Sequence, residues 1–232
     1  MIAVVSSTLF PGQSPLYGGT RSHFTDAQRL EQTRATVASL VDAGYRHVFV
    51  ADNSPDRWPV DEGTLHPATV QRFRHQHQFR NKGISELFLL RSVVEHLPAD
   101  VPIVKLSGRY RIASAVDLKP GDADVSVKWD SHGGISTRCY AVRNREVYAR
   151  FLDDTLNEVY GHQARVRGPR SLVDVVRRSL WPAQDRTCYF DPNESIERAA
   201  GRALNRRGYV VRAVDELGIE GEIAVSSDHI RE

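Results

Sequence analysis

Cysteine is scarce in this chain: Cys139 and Cys188 are its two cysteines among 232 residues. They lie neither in a Cys-x-x-Cys pair nor at the spacing of a zinc ligand set. The sequence therefore favours a reduced pair in a cytoplasmic protein, without a disulfide framework or a metal cluster.

Long apolar runs are also missing. No segment of the sequence approaches the roughly 20 consecutive apolar residues that a transmembrane helix requires. The first ten residues, MIAVVSSTLF, carry no basic region, so they predict a first strand rather than a signal peptide. The formal net charge is only +2, which does not favour nucleic acid or a membrane surface as a partner.

What remains is the composition of an ordinary globular protein, with 41% hydrophobic and 26% charged residues. A chain of this length can bury a sizeable core, so we predict one domain over residues 1–232. Strand and helix patterns alternate in the first half, which predicts an α/β fold with a mostly parallel sheet flanked by helices. Closely spaced strands near Asp124 and Ile135 predict an antiparallel addition at one edge.

The stretch VPIVKLSGRYRI, residues 101–112, is the most informative in the chain. It begins as a buried apolar strand and then breaks into Ser107, Gly108, Arg109 and Tyr110. Open α/β sheets bind ligands at the carboxyl ends of their strands, where this polar motif is predicted to lie. Gly108 allows close approach of the backbone, and Arg109 offers a planar fork of donors that suits phosphate.

Polar residues follow the other predicted strands as well. Ser6 and Ser7 end the first strand, and Asp52 and Asn53 end the second, so we expect all four to line the same pocket. Asp52 and Asn53 are placed to hydrogen-bond a base or a ribose; a plain turn is the alternative.

A helix is predicted to begin at Asn81-Lys82-Gly83. Lys82 and Gly83 suit a ribose or phosphate contact, because helix N-termini favour anions; simple capping is the alternative. Glu86, one turn later, is expected only to support the helix dipole. A preceding basic segment contains His75 and His77, for which a solvated face or a third strand is favoured over metal binding.

The order of these pieces resembles the nucleotide-sugar-binding half of the GT-A glycosyltransferases. In that family an Asn-x-Gly segment precedes a helix, as in RNKGISELFLL here, and the likeness covers residues 2 to about 152. The NKGxxE helix start together with the KxSGRY turn is similar to a set of bacterial glycosyltransferases of surface polysaccharide or secondary metabolism.

The resemblance implies a single GT-A-like, Rossmann-type domain. Its nucleotide-sugar half would span about 1–115 and its acceptor half about 116–232. It further implies a cytoplasmic enzyme that moves a sugar from a nucleotide-diphospho-sugar to a hydroxyl- or amine-bearing acceptor, a small molecule or a glycan. The donor, the acceptor, the stereochemical outcome and the oligomeric state stay open.

The sequence departs from the family where a metal-binding Asp-x-Asp is expected, because Ser107-Gly108-Arg109 stands there. Arg109, helped by Lys82 or Arg111, could stabilise the leaving diphosphate with side-chain charge instead of a divalent cation. We therefore predict a metal-independent transferase with no cofactor. The alternative is Mg²⁺ or Mn²⁺ at Asp122-x-Asp124, although a turn and a strand explain that motif more simply.

Asp130 is the first candidate for the base that takes the proton of an acceptor hydroxyl. It follows the strand DADVSVKW, and the glycines after it leave room for a sugar. An exposed turn aspartate is an equally good interpretation, and Glu158 and Asp185 are alternates.

Two other functions stay open. A sugar-phosphate nucleotidyltransferase shares the α/β layout, but it would normally show a compact glycine-rich, basic loop after the first strand. SSTLFPGQSPLYGGTR contains Gly and Arg without that compact form. The missing Asp-x-Asp also leaves room for a non-catalytic relative that binds a nucleotide sugar.

Overall fold

A computed structural model describes residues 1–10, 23–54, 62–73, 79, 81–114, 117–164, 168–170, 172–173, 194–222 and 229–232. The described strands are β1 Ile2–Ser7, β2 Val48–Asp52, β3 Thr69–Arg72, β4 Ile103–Ser107, β5 Tyr110–Ile112, β6 Val125–Val127, β7 Cys139–Val142, β8 Val211–Ala213, β9 Ile219–Glu222 and β10 His229–Arg231. The helices used below are α1 Asp26–Asp42, α2 Lys82–Val94, α3 Arg145–Ala164 and α4 Ile196–Arg206, with a 3₁₀ turn at Glu62–Leu65.

Seven of these strands form one sheet in the order β3-β2-β1-β4-β7-β6-β8. Strand β7 runs antiparallel to both of its neighbours, and the other neighbouring pairs are parallel. The predicted α/β class, a mostly parallel sheet flanked by helices with antiparallel pairing, is confirmed, but the antiparallel strand β7 lies inside the sheet instead of at the predicted edge. The reversal lies between β4 and β6, and the last strand on that side, β8, is parallel to β6.

A second, three-stranded antiparallel sheet has the order β10-β9-β5. It joins the end of the chain to the strand that follows the Ser107-Gly108-Arg109 turn. Gly221 of β9 makes this approach possible, because a Cβ there would lie 2.3 Å from the carbonyl oxygen of Arg109. Strand β9, in a part of the chain for which the sequence predicts no clear element, thus packs beside the central turn.

The central strands of the sheet are buried on both faces. In β1, Ile2 and Val4 belong to one apolar cluster with α2, α3 and α4, while Ala3 and Val5 belong to a second cluster with α1. This explains why β1 has a continuous apolar sequence instead of alternation, as is typical of parallel strands covered on both sides. Within the described part of the chain, no helix combines the length and apolar character that a membrane crossing needs.

Local signals predict both well-defined helix starts in the first half. The sequence Thr25-x-x-Gln28 matches a capping box and predicts a helix start, and α1 begins with that capping box: Thr25 and Gln28 satisfy each other's backbone N–H groups. Helix α2 is capped by Asn81, whose Oδ1 accepts from the Gly83 N–H at 3.0 Å. The sequence also predicts a helix over residues 170–180; most of that range, and both His75 and His77, lie outside the described residues.

Candidate active site at the carboxyl edge of the sheet

The carboxyl ends of the central strands bring four of the predicted site residues side by side. Ser7 is in register with Asp52 on β2, and Ser6 is in register with Ser107 on β4. Strand β7 runs the other way, so the residue before it, Arg138, lies at the same edge. The Ser107 N–H donates to the Arg138 carbonyl oxygen at 2.9 Å.

A buried ion pair occupies the centre of this edge. The Lys105 side chain is 1% exposed, and its Nζ lies 2.6 Å from Glu86 Oε1. Lys105 also donates to Ser107 Oγ at 2.8 Å and to the carbonyl oxygen of Thr137. All three donors of the ammonium group are therefore satisfied, which a buried lysine requires.

Glu86 receives three donors on a single oxygen. Besides Lys105, the Ser6 hydroxyl donates to Oε1 at 2.5 Å and the Ser107 hydroxyl lies 3.4 Å from it. Burial alone would raise the pKa of Glu86. The charge of Lys105, hydrogen bonds from Lys105 and Ser6, and the charge of Arg109 together hold that pKa below its usual value. The carboxylate therefore stays ionised at neutral pH.

Arg109 differs from the other arginines near this edge. Among the residues that the structure describes, its guanidinium has no hydrogen-bond or ion-pair partner, although its charge acts on Glu86. By contrast, Arg111 pairs with Glu220 at 2.5 Å, and Arg138 pairs with Glu232 at 2.6 Å. A half-buried cation without such a partner is suited to an anionic ligand.

The turn that carries Arg109 packs tightly against β1. The Gly108 N–H donates to the Ser6 carbonyl oxygen at 2.9 Å, and a Cβ at Gly108 would lie 3.1 Å from that oxygen. Thr33 of α1 donates to the Gly108 carbonyl oxygen at 3.1 Å. Tyr110 is buried, and its ring centre lies 5.9 Å from the guanidinium carbon of Arg138. The turn is thus fixed on several sides, which fixes the start of the Arg109 side chain.

Asp52 and Asn53 bind the loops beside them. The Asp52 side chain is buried, and its two oxygens accept from the N–H groups of Leu9 at 2.8 Å and Ser54 at 2.9 Å. Burial raises the pKa of Asp52, against the lowering effect of these hydrogen bonds. Asn53 Oδ1 accepts from the Thr8 hydroxyl. Both residues thus fix the chain segments beside the carboxyl end of β2, and their contact with a base or ribose stays a prediction.

Lys82 and Gly83 lie at the start of α2, as predicted. Lys82 is exposed, whereas a Cβ at Gly83 would lie 2.7 Å from the Ile196 side chain. Asn81 Nδ2 also donates to the Glu194 carbonyl oxygen at 2.7 Å. The absence of a side chain at Gly83 thus lets the start of α2 pack directly against the start of α4. A ligand contact at either residue stays a prediction.

Asp130 lies at the tip of the excursion between β6 and β7, at the same edge of the sheet. Its Oδ1 accepts from the N–H groups of His132 at 2.7 Å and Gly134 at 2.9 Å, so it closes a turn. Burial alone would raise the pKa of Asp130. The hydrogen bonds from Gly134 and His132, with the charges of His132 and Arg198, hold it below its usual value. Asp130 is ionised, as a base must be, but only weakly basic.

The alternates for the base are less suitably placed. Glu158 is buried between α3 and α4, where it pairs with Arg206 at 3.0 Å and Arg202 at 3.3 Å. Asp185 lies outside the described residues.

Burial raises the pKa of the Cys139 thiol to about 12, so this cysteine does not supply a thiolate at neutral pH.

The Asp122-x-Asp124 motif does not suit a metal that acts at this edge. It precedes β6, and Val125 of β6 pairs with Val142 at the far end of β7, so the motif lies at the amino edge of the sheet. Asp124 pairs there with Arg143 at 2.7 Å and Arg150 at 3.5 Å. Two arginines beside the carboxylate compete directly with a cation.

The sequence interpretation missed the pair of Glu86 and Lys105 and the position of Arg138. One signal was available: Lys105 interrupts the apolar strand VPIVKL, and a charge in a buried strand requires a partner of opposite sign. Glu86 lies on the helix just before that strand. Arg138 carried no comparable signal, because its placement depends on the reversed direction of β7.

No protein-family model matches this chain, and neither does any curated protein. Solved structures with a similar course of the chain include the galactosyltransferase LgtC in complex with donor and acceptor sugar analogues (TM-score 0.47, 10% identity, 92% of this chain and 73% of that one). CMP:2-keto-3-deoxy-manno-octonic acid synthetase complexed with CTP has a TM-score of 0.39 at 12% identity, over 92% and 88% of the two chains. The glycosyltransferase GlyE from Streptococcus pneumoniae has a TM-score of 0.39 at 9% identity, over 75% of this chain and 43% of that one. At these values the similarity carries no argument about function, and the fold class rests on the strand order itself.

Proposed function

We propose that this chain is a glycosyltransferase that takes a sugar from a nucleotide-diphospho-sugar and works without a metal ion. The observation that carries the proposal is the half-buried guanidinium of Arg109, which has no hydrogen-bond or ion-pair partner among the described residues and lies at the carboxyl edge of the central strands. The motif resemblance supplies the substrate class, and this geometry supplies the group that would act on it.

Charge at the site supports a diphosphate ligand. Lys105 and Glu86 neutralise each other, so the positive charge of Arg109 is left over. As the bond between the sugar and the diphosphate breaks, negative charge builds up on the phosphate oxygen. A fixed guanidinium that donates to this oxygen stabilises the transition state more than the ground state, which is what accelerates the step.

The arrangement of the edge suggests where the two substrates would lie. The nucleotide would occupy the side of β1 and β2, near Asn53, and the acceptor would approach from the excursion between β6 and β7. Asp130, on that excursion, stays the proposed base for the acceptor hydroxyl. The cytoplasmic location and the bacterial polysaccharide or secondary-metabolite setting are parts of the proposal that come from the motif resemblance alone.

A thermal-shift panel tests the proposal. UDP, GDP, CDP and dTDP are added to the protein in excess EDTA, and the series is repeated with Mg²⁺ or Mn²⁺. We expect one nucleotide to raise the Tm, because a ligand at a hundredfold its Kd stabilises a protein by about 2.7 kcal/mol. The increase should be equal with and without metal, because the proposed site uses Arg109 in place of a metal ion. A shift that appears only with metal would contradict the metal-independent site. No shift with any nucleotide would contradict the proposed function.

A further inference from the structure

The two carboxylate oxygens of Glu86 differ in their hydrogen-bond partners. Oε1 lies within hydrogen-bond distance of Lys105, Ser6 and Ser107. Within the described residues, Oε2 accepts no hydrogen bond, and 25% of the side chain is exposed. Because three donors surround Oε1, the exposed part of the carboxylate lies toward Oε2. An ionised oxygen is thus held rigidly at the surface of the candidate site.

The chemistry of this oxygen selects its ligand. Glu86 is ionised, so Oε2 can accept a hydrogen bond but cannot donate one. A phosphate oxygen would be repelled there, whereas a hydroxyl group can donate to it. We propose that Glu86 binds a hydroxyl group of the transferred sugar, with Arg109 beside it on the diphosphate; this inference rests on the proposed function.

A ribose hydroxyl offers the same chemistry, but the position of Glu86 favours the sugar. Glu86 lies over β1 and β4 through Ser6 and Ser107, and its partner Lys105 contacts Thr137 just before β7. The strand end proposed for the nucleoside, β2, lies on the opposite side of β1. Glu86 is therefore on the acceptor side of the diphosphate, where the sugar must be for transfer.

The test compares Glu86→Gln with wild type by calorimetric binding of UDP, UDP-glucose, GDP and GDP-mannose. We expect E86Q to weaken binding of the nucleotide sugar about tenfold or more, because a hydrogen bond to a charged acceptor is lost. Binding of the matching nucleoside diphosphate should stay within threefold or become tighter, since a negative charge near the phosphates is removed. Glu95→Gln, the same charge change on an exposed residue just after α2, is the matched control.

Each other outcome decides against a claim. Equal weakening of both ligands would assign Glu86 to the ribose or to structure, and no weakening of either would remove it from the site; both overturn the inference. A wild-type protein that binds none of these four ligands, and neither CDP nor dTDP, would instead contradict the proposed function.

A second measurement varies the donor, and its first step uses only the wild-type protein, so that step does not depend on folding of the variant. Donors that lack one sugar hydroxyl at a time are compared with the full donor. One of them should bind wild type about tenfold more weakly, and E86Q should no longer distinguish that donor from the full one. If E86Q discriminates every deoxy donor as wild type does, the inference is wrong.

Discussion

Replacing Arg109 with alanine is expected to lower the rate of sugar transfer about a hundredfold or more. Loss of one preorganised electrostatic stabiliser of a developing negative charge typically has an effect of this size. Arg109 carries the charge that is left over at the carboxyl edge, since Lys105 is neutralised by Glu86. The measurement is kcat for release of the nucleoside diphosphate from the donor that the thermal-shift panel identifies.

Two variants sharpen this comparison. Arg109→Lys should keep part of the rate, because an ammonium group supplies the charge without the planar fork of donors. Arg34→Ala removes an equally charged group from the surface of α1, where Arg34 pairs with Glu31 at 3.5 Å, and should leave kcat within twofold. An Arg109→Ala enzyme with kcat within threefold of wild type would exclude the proposed role.

Replacing Glu86 with leucine is expected to destabilise the protein by about 3 kcal/mol, because it leaves the fully buried ammonium of Lys105 without its anion. The matched double variant, Glu86→Leu with Lys105→Met, removes both charges and should recover most of that loss. Free energies of unfolding in urea measure both effects. A leucine variant within 1 kcal/mol of wild type, or a double variant no more stable than the single one, would contradict this account of the pair.

The same pair predicts a dependence of stability on pH. The pKa of Glu86 is lower in the folded than in the unfolded protein. The ionised Glu86 therefore contributes fully to the free energy of unfolding above the pKa of the unfolded state, about 4.3. This contribution is lost as the pH falls through the lower pKa of the folded state. The stability difference between wild type and the single Glu86→Leu variant should accordingly shrink in acid and stay constant above about pH 6.

Local sequence patterns were enough to predict the ends of the central strands and the starts of two helices. The strands β1, β2 and β4 end at Ser7, Asp52 and Ser107, where the apolar runs break, as predicted. A parallel strand that is covered on both faces must be apolar, whereas the residues that follow it can be polar. Thr25 and Asn81 predict the starts of α1 and α2, because a capping side chain contacts a backbone N–H only two or three residues further along the chain.

Features that depend on distant parts of the chain could not be predicted in this way. The close spacing of β6 and β7 predicted their antiparallel pairing, but the pairing of β7 with β4 joins residues more than 30 positions apart, which no local signal encodes. Strand β3, Thr69–Arg72, has no apolar alternation because it is an edge strand with partly exposed side chains. Its region therefore gave no clear pattern.

The side chains at the site show the same limit. A carboxylate after a strand can face a ligand or its own backbone, and Asp52 and Asp130 both bind backbone N–H groups. Glu86 is the reverse case, because a residue expected only to support a helix dipole faces Lys105 and the candidate site. Only the packing of α2 over β1 and β4 decides which carboxylate points where.

The most direct test of the central claim is the rate of nucleoside diphosphate release from the preferred donor in excess EDTA. If Arg109 stabilises the leaving diphosphate in place of a metal ion, wild type should react equally fast with EDTA and with added Mn²⁺. Arg109→Ala should be slow in both. A wild-type rate that EDTA abolishes and Mn²⁺ restores would contradict the account and show that a metal ion does this work.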